Sequence, residues 1–189
     1  MPQLGAYSKE QLPRDLAVQV ASYVRVQWPF LLQRNAPLWE STPYPADGKH
    51  FVIFDRDVLI AHALAHHKRM EHAGRTWNVG ALSSVFTYPT HRGSGFGEEV
   101  VAAATKYLRE SGTDFALLFC GERVKSLYLR QGWEHSPRLR VTFGNVDQPQ
   151  KYEEEHLGGF ALILCVSDSA RAAREAIESE PMYVGANTW

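Results

Sequence analysis

The chain has 189 residues, enough to bury one core and short for two. Hydrophobic residues make up 44% and charged residues 22%, the ordinary balance of a soluble globular protein, and a formal net charge of −1 leaves no overall field to draw nucleic acid or membrane. There is no signal peptide, membrane-length apolar run or internal repeat, and Cys120 and Cys165 sit beside apolar strand-like sequence, so free thiols in a cytoplasmic single domain spanning 1–189 are the default expectation.

Residues Met1 to Tyr7 read as a loose terminus. Pro13 suits a first helical turn, and Leu16, Val20 and Val24 recur at helical spacing, which predicts an amphipathic helix to about Gln27. Pro37, Pro43, Pro45 and Gly48 make the stretch from Asn35 a loop, in which Trp39 is either a plug over the core or a wall of a substrate pocket. Phe51–Phe54 is a strand, Asp55-Arg56-Asp57 its turn, and Val58 onward a returning strand, although its alanines and leucines would also suit a helix. His72-Ala73-Gly74 makes the next turn, and a central strand runs from about Thr76 to Tyr88.

The loop and helix after that strand are the organising element of the chain. Arg92-Gly93-Ser94-Gly95-Phe96-Gly97 is a glycine loop, and apolar residues at 100, 101, 104, 107 and 108 form one face of a helix from Glu98 to Ser111, with Gly112 as its C′ residue. Glycines let backbone N–H groups turn toward a bulky anion, and a helix start adds further donors and a positive dipole end. Together they suit a pyrophosphate, with Arg92 as a forked cation at the rim. A plain glycine turn before an ordinary helix is the alternative. A Walker loop is excluded because Glu98 follows Gly97, and a Rossmann loop fits poorly because the third glycine comes one residue early, although Glu122 could imitate its ribose-binding acid.

Beyond the helix, Phe115–Cys120 is an apolar strand covered on both faces, and Glu122–Gln131 a helix closed by Gly132. Leu139, Val141 and Phe143 alternate with Arg138, Arg140 and Thr142 in another strand. The polar stretch from Asn145 to His156 reads as an exposed loop with an acidic Glu153-Glu154-Glu155 patch, Phe160–Val166 as the last long strand, and Ser169 as the cap of a helix to about Glu178. A tail runs from Pro181 to Trp189. The order predicts a mixed α/β fold.

Arg92-x-x-Gly95-x-Gly97 after a strand resembles the acetyl-CoA signature of the GNAT N-acetyltransferase superfamily. Ser126-Leu127-Tyr128-Leu129-Arg130-Gln131-Gly132-Trp133 resembles the second motif of that family, and Leu59-Ile60-Ala61-His62-Ala63 resembles a strand of aminoglycoside 2′-N-acetyltransferases. The resemblance implies a central, mostly antiparallel mixed sheet flanked by helices, with a V-shaped splay between central strands. It implies direct acetyl transfer from acetyl-CoA to a primary amine of a small molecule, without a covalent enzyme intermediate and without a metal. Val85, Phe86 and Thr87 would line the pantetheine, with the Val85 N–H toward the thioester oxygen. Arg92, Gly93, Ser94, Gly95, Phe96 and Gly97 would hold the diphosphate. Tyr128 would protonate the departing sulfur, since a phenol stays protonated at neutral pH.

The base is less defined. Where the 2′-acetyltransferases carry a strand glutamate this chain has Ser83, and Asn187-Thr188-Trp189 keeps their terminal tryptophan but not the acid before it. Their frequent asparagine before the tyrosine is Gly121 here. The Trp189 carboxylate, His66, Glu40, Asp47 and a water relay remain candidates, with Trp39, Glu40, Ser83 and Trp189 as substrate-side residues. On a strand, His62 and His66 share a face but lie roughly 13 Å apart, too far for one metal. Acetylation of a protein amine and a non-catalytic acyl-CoA sensor are the rival functions. A small-molecule amine is the expected partner, without nucleic acid or membrane, and a homodimer is left open.

Overall fold

The computed structural model describes residues 1–28, 48–151 and 159–185. Among them are ten strands and five α-helices: β1 (Gln3–Ser8), α1 (Arg14–Gln27), β2 (Lys49–Asp55), β3 (Val58–His72), β4 (Arg75–Thr87), α2 (Phe96–Glu110), β5 (Phe115–Gly121), α3 (Glu122–Leu129), β6 (Glu134–His135), β7 (Val141–Asn145), β8 (Gln148–Lys151), β9 (Gly159–Cys165), α4 (Asp168–Ala172), α5 (Arg174–Ser179) and β10 (Met182–Tyr183). The hydrogen-bonded order in the main sheet is β1-β2-β3-β4-β5-β9-β6, and β10-β7-β8 form a second, three-stranded sheet. Pairing is mostly antiparallel, with β4–β5 in the main sheet and β10–β7 in the second parallel. None of the described helices is long and apolar enough to cross a membrane.

The chain divides into two compact units: residues 1–66 with 84–104, and residues 67–83 with 105–189. In the first unit, α1 buries Leu16, Val20 and Val24 in one cluster with Val52, Phe54, Leu59 and Phe86. Each such side chain contributes roughly 1.5–3 kcal/mol on burial, which stabilises a 14-residue helix that would be marginal alone. The β2–β3 hairpin turns at Arg56, whose φ of 58° puts a non-glycine residue in the left-handed region. Its register shifts between Ile53 and Phe54, where a bulge inserts one residue on the β3 side.

In the second unit the core gathers Trp77, Val79, Phe115, Leu117, Ile163 and Ile177 among others. β5 is apolar throughout because side chains on both of its faces are buried; it pairs parallel to β4 over Val79–Ala81 and antiparallel to β9 over its whole length. The β4–β5 ladder covers three residues of each strand, although β4 runs on to Thr87.

Four expectations change. Residues 3–8 are an edge strand paired with β2, pinned at its start by the Met1 amine on Asp55 at 3.1 Å. The stretch after Asn145 returns as β8 against β7, a hairpin that polar composition hides. The tail contains β10, parallel to β7. The helix after β9 is capped by Ser167, not Ser169: Ser167 Oγ accepts the Ala170 N–H at 3.1 Å, and the helix breaks at Ala173 into α4 and α5. Both serines precede the same apolar face, so spacing alone does not separate them.

Candidate active site

In the first unit, the end of β4 departs from a regular strand. Ser84 sits at φ 50°, an uncommon conformation for a side-chain-bearing residue and one that persists only where surroundings hold it. Val85 and Thr87 are half-buried, and Phe86 is buried in the core. After a single 3₁₀ turn at Pro89–His91 the chain passes through Arg92 and enters the glycine loop.

Gly93 and Gly95 take φ values of 81° and 84°, so the loop needs glycine there, and a β-carbon on either would meet open space. Gly97 is different: its absent β-carbon leaves room for Thr87 Oγ1, which would lie at 3.1 Å. The first helical hydrogen bond runs from the Glu99 N–H to the Gly95 carbonyl, so the amides of residues 96–98 precede it at the positive end of the helix. Arg92 works within the protein. Its Nε donates to the Thr87 carbonyl at 3.1 Å and its Nη2 to the Tyr23 hydroxyl at 2.9 Å, tying loop, strand end and α1 together.

Tyr23 stacks on Phe86 at 4.1 Å between ring centroids, and the other face of this column is His62, stacked on Phe86 at 5.2 Å. Any ligand contact from Phe86 is therefore left to its backbone. His62 Nδ1 lies 2.7 Å from the Ser84 carbonyl, which can only accept, so Nδ1 carries the proton. His62 Nε2 then accepts from His50 Nδ1 at 3.0 Å. Burial pushes His62 down to about 3, with His50 adding to it and the Ser84 hydrogen bond opposing. Burial pushes His50 down to about 4, with Lys9 adding and Glu10 opposing. Both rings are neutral at pH 7.

In the second unit, α3 starts at Gly121, in extended backbone, and ends on Gly132 at φ 83°. The Trp133 N–H closes this end on the Tyr128 carbonyl at 3.3 Å, and the buried Trp133 indole donates to Thr105 Oγ1 at 3.0 Å. Tyr128 is 5% exposed, and no described residue hydrogen-bonds its hydroxyl. Burial pushes its phenol well above the usual value, and Cys120 adds to this; the Cys120 thiol is itself pushed up to about 12 by burial. Ser83 is half-buried in β4 of this unit. Trp39, Glu40, Asp47, the 153–155 patch and Trp189 lie outside the described residues. Among the described residues no group of His, Cys, Asp or Glu is placed to hold a metal.

Residues 14–136 match the acetyltransferase (GNAT) domain family. The chain belongs to the GNAT acetyltransferase family. The matched span takes in α1 through β6, with the glycine loop and Tyr128 inside it. Solved structures agree on the fold. An acyl-CoA N-acyltransferase from Pseudomonas aeruginosa is 14% identical at a TM-score of 0.53, over 86% of this chain and 99% of that one. Escherichia coli ElaA is 14% identical at 0.55, over 85% and 98%. A predicted acetyltransferase from Clostridium acetobutylicum, solved with acetyl-CoA, is 14% identical at 0.55, over 72% and 92%. No curated protein sequence matches the chain.

Within this GNAT chain, sequence reasoning missed Ser84, His50 and Tyr23 and weighed His62 only as a metal ligand. At Ser84 no glycine marks the left-handed backbone. The two histidines are diagonal neighbours across β2 and β3, which only the register reveals.

Proposed function

We propose that this GNAT protein transfers the acetyl group of acetyl-CoA to a primary amine of a small molecule by direct attack. The observation that carries the reading is the loop at 92–97: two left-handed glycines facing open space at a helix start, braced from behind by Arg92. The donor set fits a diphosphate, since backbone amides and a helix dipole satisfy an anion without a dedicated cation. Gly93, Ser94, Gly95, Phe96 and Gly97 supply those amides, and Val85 and Thr87 the backbone along β4, with the Val85 N–H as donor to the thioester oxygen. Arg92 holds the loop in shape.

Acetyl-CoA supplies the activated acetyl group. The protein's share is alignment, charge stabilisation and proton handling. Tyr128 handles the proton on the leaving side: a buried phenol with a raised pKa keeps its proton through neutral pH and meets the departing sulfur as an O–H donor. The amine's proton goes to water. An aminoglycoside-like amine is the first acceptor candidate, on the resemblance of Leu59–Ala63; Ser83 in place of a carboxylate leaves that class with a weaker base.

The test is thiol release from acetyl-CoA against aminoglycosides, polyamines and peptides. Release with one amine is expected to fall by about 10²-fold or more in Tyr128→Phe while calorimetry shows acetyl-CoA bound as before. Binding of neither acetyl-CoA nor CoA to the native protein would overturn the reading. Release with peptides alone would move the acceptor to a protein, and binding with no release for any amine would make this domain a sensor.

A further inference from the structure

We propose that His62 is a positioning residue for acetyl transfer: it holds the Ser84–Val85 peptide plane so that the Val85 N–H is aimed at the acetyl carbonyl. The inference rests on the reading of Val85 as the donor to the thioester oxygen.

The Ser84 carbonyl and the Val85 N–H belong to one planar trans peptide, and they point in opposite directions from it. Whatever grips the oxygen therefore sets the direction of the N–H. The grip is a 2.7 Å hydrogen bond from a ring that is fully buried and cannot swing away. Phe86 stacks on that ring, and Tyr23 stacks on Phe86 in turn. Ser84, at φ 50°, would relax to ordinary extended backbone if nothing held it, and that relaxation would rotate the same plane.

His50 completes the device. By donating Nδ1–H to His62 Nε2 it confines His62 to the tautomer with its proton on Nδ1, the only one that can donate to a carbonyl. A hydrogen bond into the carbonyl also polarises the peptide, so the N–H at its other end becomes a better donor to developing negative charge. Both histidines lie in the same compact unit as Ser84 and Val85.

The experiment reads the Val85 amide by NMR with acetyl-CoA and with CoA as probes. In the native protein the Val85 resonance is expected to move with acetyl-CoA and not with CoA. His62→Asn keeps a donor near the Nδ1 position and is expected to retain that difference. His62→Leu is expected to abolish it, with CoA affinity within about twofold of native and kcat for thiol release down roughly ten- to hundredfold. A merely structural histidine would lower the melting temperature and leave the acetyl-specific response in place, and that result overturns the proposal. So does loss of the response in His62→Asn. If His62→Leu does not fold, imidazole nitrogen shifts of the native protein decide: protonated Nδ1 with a signal sensitive to acetyl-CoA but not CoA supports the clamp, and protonated Nε2 or an indifferent signal overturns it. Failure of both probes to bind would instead overturn the proposed acetyl transfer itself.

Discussion

Gly80 and Gly95 separate the packed middle of β4 from the loop beyond its end. A β-carbon on Gly80 would lie 2.8 Å from Leu108 Cδ2, 3.0 Å from Thr113 Cγ2 and 3.1 Å from Ala116 Cβ. A β-carbon on Gly95 would touch nothing, yet its φ of 84° still calls for glycine. One glycine lets the interior close; the other bends the backbone around space left for something else. The same contrast runs along the strand. Val79–Ala81 are buried and in register with β5, whereas Ser84 sits at φ 50° and its carbonyl accepts from a side chain.

Gly80→Leu should give the largest effect, a loss of about 3 kcal/mol in denaturant melts, because no flexible side-chain end alone can make room for the new atoms. A variant as stable as the native protein would show that the middle of β4 tolerates slack. Acidification comes next and acts on the histidines that face Ser84. Both histidines are neutral when folded, with pKa values pushed down to about 4 and about 3, while in the unfolded chain they titrate near ~6.5. The unfolded chain therefore binds more protons below pH ~6.5, so this contribution is complete above that pH and shrinks as pH falls toward about 4. Between pH 7 and pH 5 the loss should be on the order of 2 kcal/mol for each histidine, and it should be visibly smaller in His50→Gln. An unchanged slope in that variant would detach the histidines from acid sensitivity. Gly95→Ala should have the smallest effect on stability, about 1 kcal/mol from the left-handed φ, together with a loss of about tenfold in acetyl-CoA affinity by calorimetry. An equal loss of stability and no change in affinity would make the loop an ordinary turn.

Much of the framework is legible without coordinates. The periodicities at 16, 20 and 24 and at 100, 101, 104 and 108 place two helices and their buried faces. The turns at Asp55-Arg56-Asp57 and His72-Ala73-Gly74 bound β3, so its helix-like composition yields to its position between them. Short or polar strands are less legible. β1, β8 and β10 are defined by partners, and a segment whose own residues carry little apolar pattern shows its role only when the neighbouring strand is known.

The glycine loop, the helix it opens and the capped helix bearing Tyr128 follow from local chemistry: residues without a β-carbon, residues at 3.6 spacing, and a stop at Gly132. The clamp on Ser84 does not. Without the bulge at Ile53 and Phe54, His62 would stand opposite Phe51 and face away from His50. One inserted residue reverses which face a strand presents, and nothing within the strand announces it. Side-chain pairs that meet across a ladder are set by register, and register is a property of the assembled sheet.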